Sequence, residues 1–110
     1  MIKYNLIQIV NNILSKYFFE EPTVELHQDF MRNPQVVYCI GDFTFYLTHN
    51  INEGKWYFSK YGISDTMIID RIINTVSYVG SKEDEMFVEL CEQIKEDLTN
   101  IWRQIKNCQM

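Results

Sequence analysis

The side chains best suited to metal binding or nucleophilic attack are few: Cys39, Cys91, Cys108, His27 and His49. A zinc centre needs three or four such ligands converging at suitable spacing. No CxxC pair exists, and an odd count of three cysteines opposes a disulfide framework. Free thiols in a reducing, cytoplasmic setting are the expectation. Alternation along the middle of the chain puts Cys39 on the face opposite Phe45 and His49 on the Phe45 side. The two should point apart, which disfavours both a metal site and a thiol–imidazole pair. Cys91 and Cys108 fall on the apolar stripe of a helical segment, where a thiol behaves as a small hydrophobe. The four glycines form neither G-x-x-x-x-G-K-[ST] nor G-x-G-x-x-G, and no serine lies in G-x-S-x-G. General acid–base work needs a carboxylate tuned in a cleft, and the pattern marks none. No catalytic residue, metal ligand or cofactor site is expected, so the chain reads as a non-enzyme.

The acidic residues carry more information. Fifteen acids against ten bases leave a formal charge of −5, which opposes a nucleic-acid-binding surface because that depends on Lys and Arg neutralising phosphates. Residues 81–98 hold seven acids against Lys82 and Lys95, so this one segment carries the whole imbalance. Within it Glu85, Glu89, Glu92 and Glu96 step by four, three and four, forming one helical stripe opposite Phe87, Cys91, Ile94 and Leu98. One reading is a solvated face that complements the helix dipole, with Arg103 and Lys106 at the far end. The other is an anionic rail presented to a basic groove on a protein partner. Like charges at i,i+4 cost only about a few tenths of a kcal/mol per pair, so the stripe could persist under either reading.

Three regimes of periodicity must position these residues. Residues 2–19 repeat apolar side chains at Ile2, Leu6, Ile9, Ile13 and Tyr17, which predicts a helix with one buried face, ended by Pro22. From Thr23 to Tyr61 the period is two. Val24 and Leu26 mark a first strand, and Val36–Ile40 and Phe43–Thr48 flank a Gly41-Asp42 type II′ turn that pairs Ile40 with Phe43. A four-residue loop, Ile51 to Gly54, then brings Trp56 and Phe58 onto the Phe45 and Leu47 face. A three-residue loop would reverse that strand. After Gly62, Ile68, Ile69, Ile72, Ile73, Val76 and Val79 suggest a helix capped by Ser64 and stopped by Gly80. A last helix, 82–107, opens at Ser81 with Asp84 as a capping-box residue. At 1.5 Å per residue it would run to about 39 Å and overhang a small sheet. The expectation is a single α+β domain over residues 1–110. It has an N-terminal helix, an antiparallel meander of three to four strands, and two C-terminal helices on one sheet face.

That register leaves Val37, Cys39, Thr44, Tyr46, Thr48, Tyr57 and Ser59 on the outer face. Tyr46 and Tyr57 there suit a protein interface, and equally suit cross-strand packing on a half-wet sheet. No apolar run reaches the ~18–20 residues of a membrane span, and Lys3, Asn5, Gln8, Asn11 and Asn12 break up any signal-peptide core.

The helix–strands–helix–helix order, small size and acidic last helix resemble small phage-encoded inhibitors, including acidic anti-CRISPR proteins that fill a nuclease's DNA-binding groove. The resemblance is one of layout and implies a protein partner with a basic surface. The chain also resembles acidic type III secretion chaperones, which begin and end with amphipathic helices; Trp102-Arg103 suits that pattern. Strands expected between the last two helices are missing on this reading, because only Gly80 and Ser81 separate them. Together with the acidic stripe and the outer sheet face, the first resemblance points to a small acidic inhibitor or antidote that engages its partner through Glu85, Glu89, Glu92 and Glu96, helped by Tyr46 and Tyr57. The alternative is a homodimer subunit or secretion-chaperone-like protein that uses the overhanging last helix and Tyr46 and Tyr57.

Overall fold

The computed structural model describes residues 5–108, with side chains described to Lys106. The elements run α1 (Leu6–Phe18), β1 (Thr23–Gln28), β2 (Pro34–Ile40), β3 (Phe43–Asn50), β4 (Lys55–Lys60), β5 (Thr66–Asp70), β6 (Thr75–Val79) and α2 (Glu85–Cys108). All six strands pair antiparallel with their sequence neighbours, so the sheet order is β1-β2-β3-β4-β5-β6. The α+β class, the N-terminal helix and the antiparallel sheet agree with the sequence reading. The expected start of α1 at Ile2 lies outside the described residues. Among the described residues no helix is long and apolar enough to cross a membrane.

The expected helix over residues 64–79 is instead the β5–β6 hairpin, giving six strands and one C-terminal helix. The apolar pattern there fits two periods at once. Met67 and Ile69 point inward and are buried, their ladder partners Tyr78 and Val76 are half-buried, and Ile72 and Ile73 sit exposed in the turn. Asp70 and Asn74 decide between the periods. The Asp70 carboxylate accepts from the Ile72 and Ile73 amides at 3.0 and 3.3 Å, an Asx-type turn, and Asn74 takes a left-handed φ of 51°. The β3–β4 loop is built the same way. Asn50 Oδ1 accepts from the Glu53 amide at 3.0 Å, and Gly54 supplies the left-handed residue at φ 70°. Both loops are four residues long, Ile51–Gly54 and Arg71–Asn74. β-Branched Thr66, Ile68, Ile69, Thr75, Val76 and Val79 favour the pleated alternative over a helix.

In the central strands the predicted register holds. Ile40 pairs with Phe43 across a turn in which Gly41 has φ 57°, and His49 pairs with Trp56 across the four-residue loop. Val36, Tyr38, Ile40, Phe45, Leu47 and Phe58 form a buried inner face. Both helices cover it. From α1, Leu6, Val10, Ile13 and Leu14 are buried, Phe18 packs on Phe43 and Phe45, and the Ile7 carbonyl accepts from the Tyr38 hydroxyl at 2.8 Å. From α2, Phe87, Leu90, Cys91, Ile94 and Leu98 are buried, with Phe87 stacked 5.4 Å from Phe58. Beyond Leu98 burial is partial only (Ile101, Trp102, Ile105), as an overhanging last helix requires.

The helix α2 starts at Glu85, not at residue 82. Lys82 has φ 62°, which a right-handed helix excludes, and Asp84 is the cap: its side chain accepts from the Phe87 amide at 3.0 Å. Ser81, expected to cap the helix, is drawn instead to Asp65, the one buried charged residue among those described. Asp65 Oδ2 accepts from the Tyr78 hydroxyl at 2.5 Å and the Ser81 hydroxyl at 3.2 Å, while Oδ1 accepts from the Ser81 amide at 3.2 Å. Gly80 lies against this carboxylate with φ 151°; a Cβ there would stand 2.6 Å from Asp65 Cβ and closer still to the carboxyl group. Gly80 therefore marks the close approach of a buried carboxylate, not the stop of a helix.

Candidate functional site

The amphipathic pattern of α2 turns its acidic side out. Glu85, Glu89, Glu92 and Glu96 are all exposed, and none makes an ion pair among the described residues. Docking of α1 beside α2 gives three of them a shared setting. Glu89, Glu92 and Glu96, with Asp97, rim a groove of about 660 Å³ whose opposite wall is Ile13, Lys16 and Tyr17 of α1. Its apolar side is Val88 and the Tyr17 ring, with the buried Ile13 and Leu90 beneath them. Glu85 continues the stripe one turn earlier, beyond the groove residues. The Tyr17 hydroxyl donates to Glu89 at 2.7 Å, a bond that raises the Tyr17 pKa because the neutral phenol holds it. Lys16 is the one basic side chain in the groove lining described, against four acids.

Tyr46 and Tyr57 are elsewhere. They lie on the outer sheet face with Val37, Thr48 and Ile68, turned away from both helices. Their rings are half-buried: Tyr46 leans on Tyr61 at 6.4 Å, and the Tyr57 hydroxyl bonds Glu53, which raises its pKa. No described element covers this face. One flat partner surface cannot meet the acidic stripe and these tyrosines together, because the sheet and the core stand between them.

Cys39 and His49 do point to opposite faces: Cys39 pairs with Thr44 on the outer face, and His49 stacks on Trp56 at 4.6 Å on the inner one. The Cys91 thiol is pushed up to about 12 by burial, so it stays protonated at neutral pH. Among the described residues no three His, Cys, Asp or Glu side chains converge as metal ligands. A cleft of about 410 Å³ does border Asp65, but both carboxylate oxygens are already engaged. The hydrogen bond from Tyr78, then those from Ser81, hold Asp65 below the ordinary carboxyl range despite burial. Lys60 does the same for Asp84 at 2.7 Å. These carboxylates hold the β6–α2 junction together. The far end of α2 bears the opposite charge: Arg103 and Lys106 border a cleft with Trp102 and His49, where cations suit a helix C-terminus.

Helical spacing exposes the four glutamates in the sequence, but Lys16, Tyr17 and Asp97 were not foreseen. The signal available for Tyr17 is its place one turn after Ile13 on α1; which helix that turn would face is a tertiary matter. Comparison of the chain with protein-family models, curated proteins and solved structures gives no match.

Proposed function

We propose that the chain is a non-enzymatic, cytoplasmic protein-binding module, a small acidic inhibitor or antidote that blocks a basic surface on a protein partner. One observation carries this reading: Glu89, Glu92 and Glu96 stand exposed and without ion pairs among the described residues, along a groove with an apolar floor. The occupant is a basic segment carrying an apolar anchor. The acids would speed encounter and choose the partner, and the apolar surface that Val88 and the Tyr17 ring leave open between the helices would hold the anchor. A partner surface that otherwise handles nucleic acid has the required Arg/Lys density. Glu85 extends the electrostatic reach, whereas Tyr46 and Tyr57 belong to a separate surface. Self-association is the second reading, favoured by the uncovered outer sheet face.

The test is to recover the partner from native lysate, then follow association by stopped flow across a salt series. The rate is expected to fall steeply with salt and to drop about tenfold or more in Glu89→Lys/Glu92→Lys, with an unchanged circular dichroism spectrum. Binding that survives this reversal rejects the groove as the contact.

A further inference from the structure

The two edges of the sheet are finished differently. In β6 the inner-row residues Val76 and Tyr78 are half-buried, with the Tyr78 ring 6.1 Å from Phe87 of α2. In β1 all six residues are exposed, including the inner-row Val24 (43%) and Leu26 (78%). Phe30 and Met31, in the turn that follows, are 95% and 64% exposed. An uncovered strand edge is a template for another extended strand. We infer that β1 pairs antiparallel with β1 of a second copy of this chain, with Leu26 facing Leu26 of the partner subunit, to give one sheet running through both copies.

The register follows from charge. A two-fold axis perpendicular to the sheet keeps inner rows with inner rows, so only steps of two residues along the second strand are allowed. With Leu26 opposite itself, Glu25 faces His27 of the partner subunit, and His27 faces the partner's Glu25. A carboxylate then meets a ring nitrogen that can donate to it, twice. Within one chain the same two groups already bond at 2.8 Å on the outer row. Shifting the register one way sets Glu25 against the partner's Glu25. Shifting it the other way sets Glu25 against the partner's Asp29 and His27 against the partner's His27. Of these three registers, only the one centred on Leu26 avoids both clashes. A stable dimer commonly buries about 800 Å² per partner, more than a six-residue edge supplies, so the association is concentration-dependent. It does not depend on the proposed basic partner, because no β1 residue lines the acidic groove.

Sedimentation across a concentration series tests this, with circular dichroism to show that each variant folds. The wild-type chain should dimerise, and His27→Glu should weaken the dimer about tenfold or more, since each change is felt twice across the axis. The swap Glu25→Lys/His27→Glu should restore it, because opposite charges again meet across the axis, whereas the register that sets position 25 against itself would bring two lysines together. A wild-type chain that stays monomeric to its solubility limit overturns the inference. So does a swap that fails to rescue, or a dimer indifferent to His27→Glu but lost in Tyr46→Lys, which would put the contact on the outer face.

Discussion

Asp65 sits 5% exposed beneath the turn joining β6 to α2, with three hydrogen bonds donated to its two oxygens. Glu85, Glu89, Glu92 and Glu96 stand in water along α2, where among the described residues Tyr17 on Glu89 is the one side-chain hydrogen-bond donor to the four. Burying a carboxylate is tolerable only when its lone pairs are filled, and then its loss strands the donors around it. An exposed carboxylate costs the fold almost nothing and contributes almost nothing to it. A charge that structure does not need, repeated along a groove, is available for something outside the molecule.

Substitutions can break that contrast, beginning with the largest effect. Gly80→Ala forces a methyl group into the Asp65 carboxyl and should cost about 3 kcal/mol or more, read as a lowered urea midpoint. Equal stability would mean that the junction yields freely and that Asp65 is not locked. Asp65→Ala leaves the Tyr78 hydroxyl and the Ser81 amide unpaired and should cost about 1–3 kcal/mol. The pH dependence has a definite sign. Asp65 is held below its ordinary value in the fold, chiefly by Tyr78, so its contribution is full above the unfolded value of about 4. It is lost as pH falls through the lowered folded value. The gap between wild type and Asp65→Asn should therefore shrink on acidification below about pH 4, checked by denaturant titration. Smallest of all, Glu89→Gln/Glu92→Gln should move stability by no more than about 0.5 kcal/mol in either direction. A larger loss would show that the stripe serves the fold, and the two classes of carboxylate would then merge.

The same division explains what could be read from the chain. Alternation from Val36 to Phe58, with Gly41-Asp42 and the Asn50 loop as punctuation, specifies register because a one-residue slip would turn Phe45 and Leu47 outward. Residues 64–79 mimic a helix because two isoleucine pairs, Ile68-Ile69 and Ile72-Ile73, satisfy helical spacing while sitting half in strand and half in turn. The Asp70–Asn74 turn repeats the chemistry of the Asn50–Gly54 turn with Asn replacing Gly as the left-handed residue, and so gave a weaker signal. Exposure of the four glutamates was legible because it depends on one helix alone. The groove was not, since it needs α1 and α2 to meet, and the Asp65 anchor needs residues sixteen positions apart to close on each other.

Every strand in the meander joins only the strand before it and the strand after it, so the sheet can zip up hairpin by hairpin. The acidic groove is the exception: one wall is α1, first in the order of elements, and the other is α2, the last. It exists only where α1 and α2 lie side by side on the sheet. A half-made or unravelling molecule has glutamates but no cleft, so a partner that binds there, as proposed, would meet only the folded chain.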